Sequence, residues 1–361
     1  MGPTADELVD RAVATRLVPG AVLAAGVHTA DPALLHVAGD AQRDAAGTHP
    51  MTAGTVFDLA SLTKVVATLP VVLQLAGRGE IGLDQPVNRY LPRFTGQGKE
   101  TVTVRQLLLH TSGLPGQQRY YQSLHDPAEI PAAALAEPLA APPGTVFCYS
   151  DVGFINLGEL AAAVAGRGLD ELVQDVVCGP LGMTATRYLP PASWAGRIAA
   201  TEVVNGVAKV GMVHDENAEI LGGVAGHAGL FGTAADLARY AAAWAGNPEA
   251  GALLLGGKGR DRGPFWGMRA EALRCQTEGL GGRRGLGWGL RGDGYDNMGD
   301  GWPASGAGHT GFTGTSLSVD PRSGLWAVLL TNAVHFGRGP EHSIAGLRKQ
   351  VHAAVAAELL T

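Results

Sequence analysis

The most constraining feature of the sequence is where its apolar strand-like segments fall. LWAVLLTN (325–332) reads as a strand apolar enough to be buried. Ahead of it, GFTGTSLSVDP (311–321) alternates Thr313, Thr315, Leu317 and Val319 with smaller or polar residues, which is strand period, and DPRSG (320–324) reads as the turn between them. The other strand candidates, GAVLAAGVHTA (20–30) and LLHVAGDAQ (34–42), lie at the opposite end of the chain, with an Asp-Pro turn between them. Strands at both ends with helices between them predict an α+β fold: one antiparallel sheet built from N- and C-terminal segments, flanked by helices, with a mostly helical insertion. The expected organisation is one domain over 1–361, with 1–60 and 285–361 carrying the sheet and 61–284 mostly helical. No internal repeat and no Gly/Ser linker divides the chain.

Residues 4–16 read as an amphipathic helix with Leu8, Ala12 and Val13 on one side. SLTKVVATLPVVLQLAGRG (61–79) reads as a buried helix kinked at Pro70. LAAAVAG (160–166) and AADLARYAAAW (234–244) are the clearest central helices, the second with a Thr233/Asp236 capping box. Residues 341–360 read as a final helix with Ile344, Leu347, Val351 and Val355 on one stripe, whereas 246–308 resists assignment.

Composition narrows the function classes. Hydrophobic residues make up 46% and charged residues 17% of the 361, enough for a large core and unlike a disordered chain. The net charge of −6 is interspersed, and no Lys/Arg run suits a phosphate backbone, so nucleic acid is not an expected partner. The pair Arg283-Arg284 reads as a solvated loop. Cys148, Cys178 and Cys275 are sparse and odd in number, which fits a reducing compartment and buried thiols better than disulfides. MGPTADELVDRAV lacks the pattern of a signal peptide, and no apolar stretch suits a membrane span, so a cytoplasmic location is expected.

Three short motifs carry candidate chemistry. Ser61-Leu62-Thr63-Lys64 at a helix start places the two functional side chains one turn apart, so the amine can approach the hydroxyl. A lysine serves as base there only if burial or nearby positive charge lowers its pKa. Tyr149-Ser150-Asp151 precedes an apolar run; the phenol can hold or yield a proton, and Ser150 or Asp151 can cap the helix. His309-Thr310-Gly311 opens the C-terminal strand, where Gly311 allows a ligand close to the backbone and the Phe312 N–H can face a carbonyl. Each motif alone has an ordinary structural explanation. Together they fall in the same order along the chain as the S-x-x-K, S-D-N and K-T-G set of penicillin-binding proteins and β-lactamases, which they resemble.

With these motifs, and with VTVRQLLLHTSGLP (102–115), PPGTVFCYSDVGFINLGEL (142–160), PLGMTATRY (180–188), GGVAGHAGLFGTAADLARY (222–240) and GHTGFTGTSLSVDP (308–321), the chain resembles the serine β-lactamase and penicillin-binding superfamily in its class C-like branch. That branch includes DD-peptidases, D-aminopeptidases and esterases. The resemblance implies a serine hydrolase with Ser61 as the acylated nucleophile, Lys64 activating it and Tyr149 shuttling a proton. It implies backbone N–H groups of Ser61 and Phe312 as oxyanion hole, and Asp151, His309, Thr310 and Gly311 at the substrate. No cofactor and no metal is implied; the partner is a small ester, peptide or β-lactam, and the oligomeric state is open.

Two positions depart from the family pattern. Asp151 stands where many members have Asn, and a carboxylate beside Lys64 favours its charged form. His309 stands where many have Lys, which removes a fixed positive charge and weakens the case for β-lactamase activity relative to esterase or D-peptidase activity. Acyl transfer and a stoichiometrically acylated sensor on the same fold stay open as alternatives. A metal hydrolase using His214 and His227 lacks ligand spacing, and the HTSGLP segment after His110 reads as a turn.

Overall fold

Side-chain alternation explains why two strands, one near each end of the sequence, are buried along almost their whole length. The computed structural model describes residues 2–44, 47–254 and 264–360. Its strands are β1 (Gly20–Val27), β2 (Leu34–Asp44), β3 (Gly47–Pro50), β4 (Phe57–Asp58), β5 (Arg187–Tyr188), β6 (Val203–Val204), β7 (Val207–Ala208), β8 (Leu230–Gly232), β9 (Gly289–Leu290), β10 (Ala307–Thr310), β11 (Ser316–Val319) and β12 (Leu325–Thr331). Seven of them form one sheet in the order β3-β2-β1-β12-β11-β10-β9, with every neighbouring pair antiparallel. The sheet is thus drawn from both ends of the chain, as the sequence predicts. The central pair, β1 and β12, runs from Ala21 opposite Thr331 to Val27 opposite Leu325.

Successive residues on these strands serve different cores. Val22 and Ala24 of β1 and Trp326, Val328 and Leu330 of β12 belong to the larger core. Ala21, Leu23 and Ala25, with Leu325, Ala327 and Leu329, belong to the other. The second core is closed by helices α1 (Ala5–Ala14) and α11 (Ala345–Leu359) packed on each other. Leu8 and Ala12 of α1 and Leu347, Val351 and Val355 of α11 meet there, matching the predicted stripes.

The remaining helices are α2 (Leu69–Gly77), α3 (Val104–Leu108), α4 (Glu129–Ala136), α5 (Asp151–Ala165), α6 (Leu169–Val173), α7 (Glu216–Ile220), α8 (Ala234–Ala245), α9 (Pro248–Leu253) and α10 (Pro264–Ala272). Helix α8 packs across β1, β11 and β12. Its cap is half of the expected box: the Asp236 N–H donates to Thr233, but the Asp236 carboxylate instead accepts from Ala185 N–H and Thr186 Oγ1. The stretch without a sequence assignment contains α9, α10 and β9; residues 255–263 within it lie outside the described residues.

Two expected elements take another form. The segment 311–321 is not one strand: β10 ends at Thr310, a turn follows, and β11 begins at Ser316. His309, Thr310 and Gly311 therefore close a strand rather than open one. The segment 61–79 is not one uniform α-helix. Instead Lys64–Thr68 forms a widened turn in which the Leu69 N–H reaches the Lys64 carbonyl, and Pro70 falls in the first turn of α2. The next bond in that widened pattern needs an N–H at residue 70 for the Val65 carbonyl, and proline has none. The hydroxyl of buried Tyr240 donates to Val65 O in its place. Tyr240→Phe leaves that carbonyl buried and unpaired, so unfolding in urea should show a loss of about 1–3 kcal/mol.

Candidate active site

The site begins with a strained turn. Ala60 has φ +47°, a left-handed conformation unusual for a residue with a side chain, and it delivers the chain from β4 to Ser61. The carboxylate of buried Asp58 holds this turn by accepting from the Ala60 N–H at 2.8 Å and the His214 N–H at 2.7 Å. Burial pushes the Asp58 carboxyl upward from its ordinary pKa.

One turn beyond Ser61, Lys64 is fully buried. Its Nζ donates to Ser61 Oγ at 2.9 Å and to the His227 carbonyl at 3.3 Å. It also stands 2.7 Å from Asp151 Oδ1, close in charge but off the line of a hydrogen bond. Burial pulls the lysine pKa down, but Asp151 and, less strongly, Tyr149 outweigh it, so the net shift is upward. The ammonium is therefore the resting form. Asp151 is here because Ser150 caps α5, accepting from the Gly153 N–H at 3.0 Å, and so sets residue 151 in the first helical turn.

Tyr149 arrives on the loop before that cap. Lys64 Nζ lies 4.9 Å and the Arg284 guanidinium 5.9 Å from its ring centre. The His110 ring leans on it at 4.6 Å and the His309 ring at 5.9 Å. His110 accepts from the Ser150 N–H through Nδ1 at 2.9 Å. His309 donates from Nδ1 to the Thr310 carbonyl at 2.9 Å, which leaves its buried Nε2 without a protein partner among the described residues. Burial first, then the neighbouring cations, push both histidines well below the ordinary imidazole range, so both are neutral.

The turn after β10 is bolted to the segment leading into Ser61. Thr313 Oγ1 donates to Asp58 O at 2.7 Å and Thr315 Oγ1 to Leu59 O at 3.1 Å. A Cβ at Gly311 would lie 2.2 Å from Thr315 Oγ1 and 2.4 Å from Leu59 O, so the glycine serves this internal approach rather than a ligand's. Among the described residues, the N–H groups of Ser61 and Phe312 donate to no protein acceptor. Both residues border a cleft of about 390 Å³, together with Tyr149, Arg284, Tyr295 and His309. Phe312 and Tyr295 stand exposed at its edge.

All the residues singled out by the three motifs thus meet in one place. Three neighbours did not emerge from the sequence. Arg284, expected in a solvated loop, is buried; it pairs with Asp293 at 2.9 Å, and its guanidinium lies over Phe147, Tyr149 and Tyr295. His110, placed in a structural turn, stacks on the candidate tyrosine. Arg348 borders the same cleft from α11. It sits four residues after Ile344, on the apolar stripe of an amphipathic helix, and that misplaced charge was the available signal. His214 stacks on Phe312 at 5.6 Å and His227 pairs with Asp215 at 3.0 Å. No group of three or more His, Cys, Asp or Glu among the described residues could hold a metal. The three cysteines are free, and no described helix is long and apolar enough to cross a membrane.

The family model described as Beta-lactamase matches residues 5–349. The chain belongs to the β-lactamase family. A putative D-alanyl-D-alanine carboxypeptidase of Escherichia coli K12 is 31% identical over 316 residues, covering 79% of this chain and 70% of that protein. The class C β-lactamase from Rhodobacter sphaeroides superposes with a TM-score of 0.75 at 19% identity, covering 99% of both chains. EstCE1, described as a hydrolase with promiscuous acyltransferase activity, superposes with a TM-score of 0.70 at 23% identity, over 98% of this chain and 97% of that one. These structural likenesses establish the shared fold.

The neutral histidines have a measurable consequence. An imidazole whose folded pKa is depressed binds no proton while its unfolded counterpart does, so stability is lost as pH falls below about 6.5. Each such histidine adds a slope of about 1.4 kcal/mol per pH unit until its folded pKa is reached. Denaturant titrations between pH 7 and 5 should show His309→Asn lowering that slope by nearly one proton.

Proposed function

We propose that this protein is a serine hydrolase that cleaves an ester or amide through an acyl-enzyme on Ser61. The observation that carries the reading is the convergence, at one cleft, of the Ser61 hydroxyl, the Lys64 ammonium, the Tyr149 phenol and two unengaged N–H groups. A substrate carbonyl seated between the Ser61 and Phe312 N–H groups would have its developing negative oxygen stabilised by both donors.

The protonation pattern assigns the remaining roles. Lys64 donates to Ser61 Oγ, so the serine proton points away from the amine, and a lysine held as ammonium has no lone pair to receive it. Tyr149 is the group left to relay that proton: its phenolic oxygen accepts the serine proton, directly or through water, as its own proton passes to the leaving group when the scissile bond breaks. Lys64 and Arg284 flank it, and their positive charges stabilise the negative charge that develops on its oxygen during the transfer. Deacylation follows when water attacks the ester of Ser61 and the proton retraces its path.

The substrate is an ester or a peptide rather than a β-lactam handled at high rate. His309 is neutral and supplies no fixed charge, so beside the Lys64 ammonium the cations at the cleft are Arg284, already paired with Asp293, Arg338 and Arg348. The carboxypeptidase name carried by the relatives agrees with an amide substrate.

Intact-mass spectrometry after exposure to a fluorophosphonate, a penicillin and an activated ester tests the reading. A single adduct absent from Ser61→Ala is expected, and Ser61→Ala should lower ester turnover by about 10³-fold or more. An adduct elsewhere, or full turnover in that variant, overturns it. The division of roles gives a second expectation. In the wild type, acylation should show no lysine ionisation below about pH 10. Asp151→Asn removes the main influence raising Lys64 while burial still lowers it, so a new inflection should enter the pH profile from the alkaline side.

A further inference from the structure

We infer that Arg348 is a positioning residue for the proposed acylation, holding the Gly311–Phe312 peptide so that the Phe312 N–H faces the cleft. The inference rests on the acyl-enzyme reading and adds a residue outside its three motifs. Arg348 Nη2 donates to the Gly311 carbonyl at 2.7 Å and to the Thr315 carbonyl at 3.0 Å. Those two residues bracket the turn after β10, whose own bonds run from Gly311 N–H to Thr315 O at 2.8 Å and from Gly314 N–H to Gly311 O at 3.1 Å.

The Gly311 carbonyl and the Phe312 N–H belong to the same planar trans peptide, so they point in opposite directions. Fixing the carbonyl on the α11 side therefore fixes the N–H on the other. Glycine at 311 has no side chain to restrict rotation of that peptide, and proper aim needs an external hold. A cationic donor on the carbonyl also draws electron density along the peptide and makes its N–H a stronger donor.

Arg348 is otherwise an odd residue to place here. Among the described residues no carboxylate pairs with it, and its shielded Nε has no protein partner. Burial holds its pKa down at about 10 with no opposing charge to offset it. A guanidinium kept at that disadvantage, with its bonds spent on the turn, acts on the geometry of the turn. The two threonine bolts, Thr313 and Thr315, tie the same turn to the segment before Ser61. The three side chains together set the spacing of the two N–H groups.

The test compares wild type, Arg348→Met and Arg348→Lys, each normalised by active-site titration with a fluorophosphonate. The substrates are a neutral nitrophenyl butyrate and a matched ester bearing a carboxylate; phenylboronic acid serves as a tetrahedral probe. Arg348→Met should lower kcat on the neutral ester by about 30-fold with KM within about threefold, and weaken phenylboronic acid in parallel. Arg348→Lys, which keeps a charged donor, should recover part of both. A loss confined to the carboxylate ester, appearing in KM, overturns the inference in favour of a substrate anchor. Unchanged kcat and boronate affinity per titrated site overturn it in favour of a purely structural role. Should Arg348→Met fail to fold, Arg348→Lys decides alone: wild-type kcat and boronate affinity, despite the loss of the planar fork, count against it. Failure of the wild type to acylate at Ser61 overturns the acyl-enzyme reading itself, and the role of Arg348 with it.

Discussion

A fully buried lysine is the constraint around which the site is arranged. An ammonium removed from water is tolerated only where charge and acceptors surround it. Lys64 receives them from Ser61, from Asp151 and from the His227 carbonyl, three segments remote in sequence. Each must be delivered to within about 3 Å. The strained Ala60, the widened helical turn at Lys64–Thr68, the Ser150 cap of α5 and the glycine-rich passage through His227 are the local means of doing so. The chemistry and the folding problem share one solution, since satisfying the cation also assembles the cleft.

The aspartate at 151 decides what kind of site results. With a neutral amide there, burial, the largest single influence on Lys64, would lose its main counterweight. With a carboxylate, the lysine is held as the ammonium, and in the proposed mechanism the acid–base work falls to the phenol. The neutral His309 moves the balance of charge as well, leaving Arg284 as the second cation beside Tyr149. Two substitutions relative to the family pattern thus act on one proton path.

The sequence was most informative where a side chain is dictated by its backbone. The apolar run at 325–332 announced a buried strand, and strand candidates at both ends of the chain announced one sheet drawn from both, but not the order of its strands. The stripe on α11 was legible for the same reason. Ser61, Lys64, Tyr149 and His309 were visible as motifs because their spacing is imposed by one helical turn or one strand end. The residues that escaped are those placed by tertiary contact. Arg284 looks solvated beside Arg283, and only packing against Phe147, Tyr149 and Tyr295 buries it. Thr310 to Thr315 read as strand because Thr313 and Thr315 alternate correctly, yet both hydroxyls are engaged in tying a turn. The widened turn before Pro70 was not legible because the Tyr240 hydroxyl that compensates for the proline lies far away in the chain.

The pairing of β1 with β12 has a bearing on how the molecule comes to exist. Synthesis runs from the N- to the C-terminus, so β1 emerges long before β12, and β2 can cover one of its edges at once. The other edge awaits Leu325–Thr331, and α1 awaits α11, to which it is tied by the Ala5 N–H donating to Glu358 at 2.7 Å. Until Leu325–Thr331 has left the ribosome, an apolar strand destined for the middle of a sheet has an open side. Such a topology makes assembly a late, concerted event of high contact order, and it exposes the nascent chain to wrong strand partners for most of its synthesis.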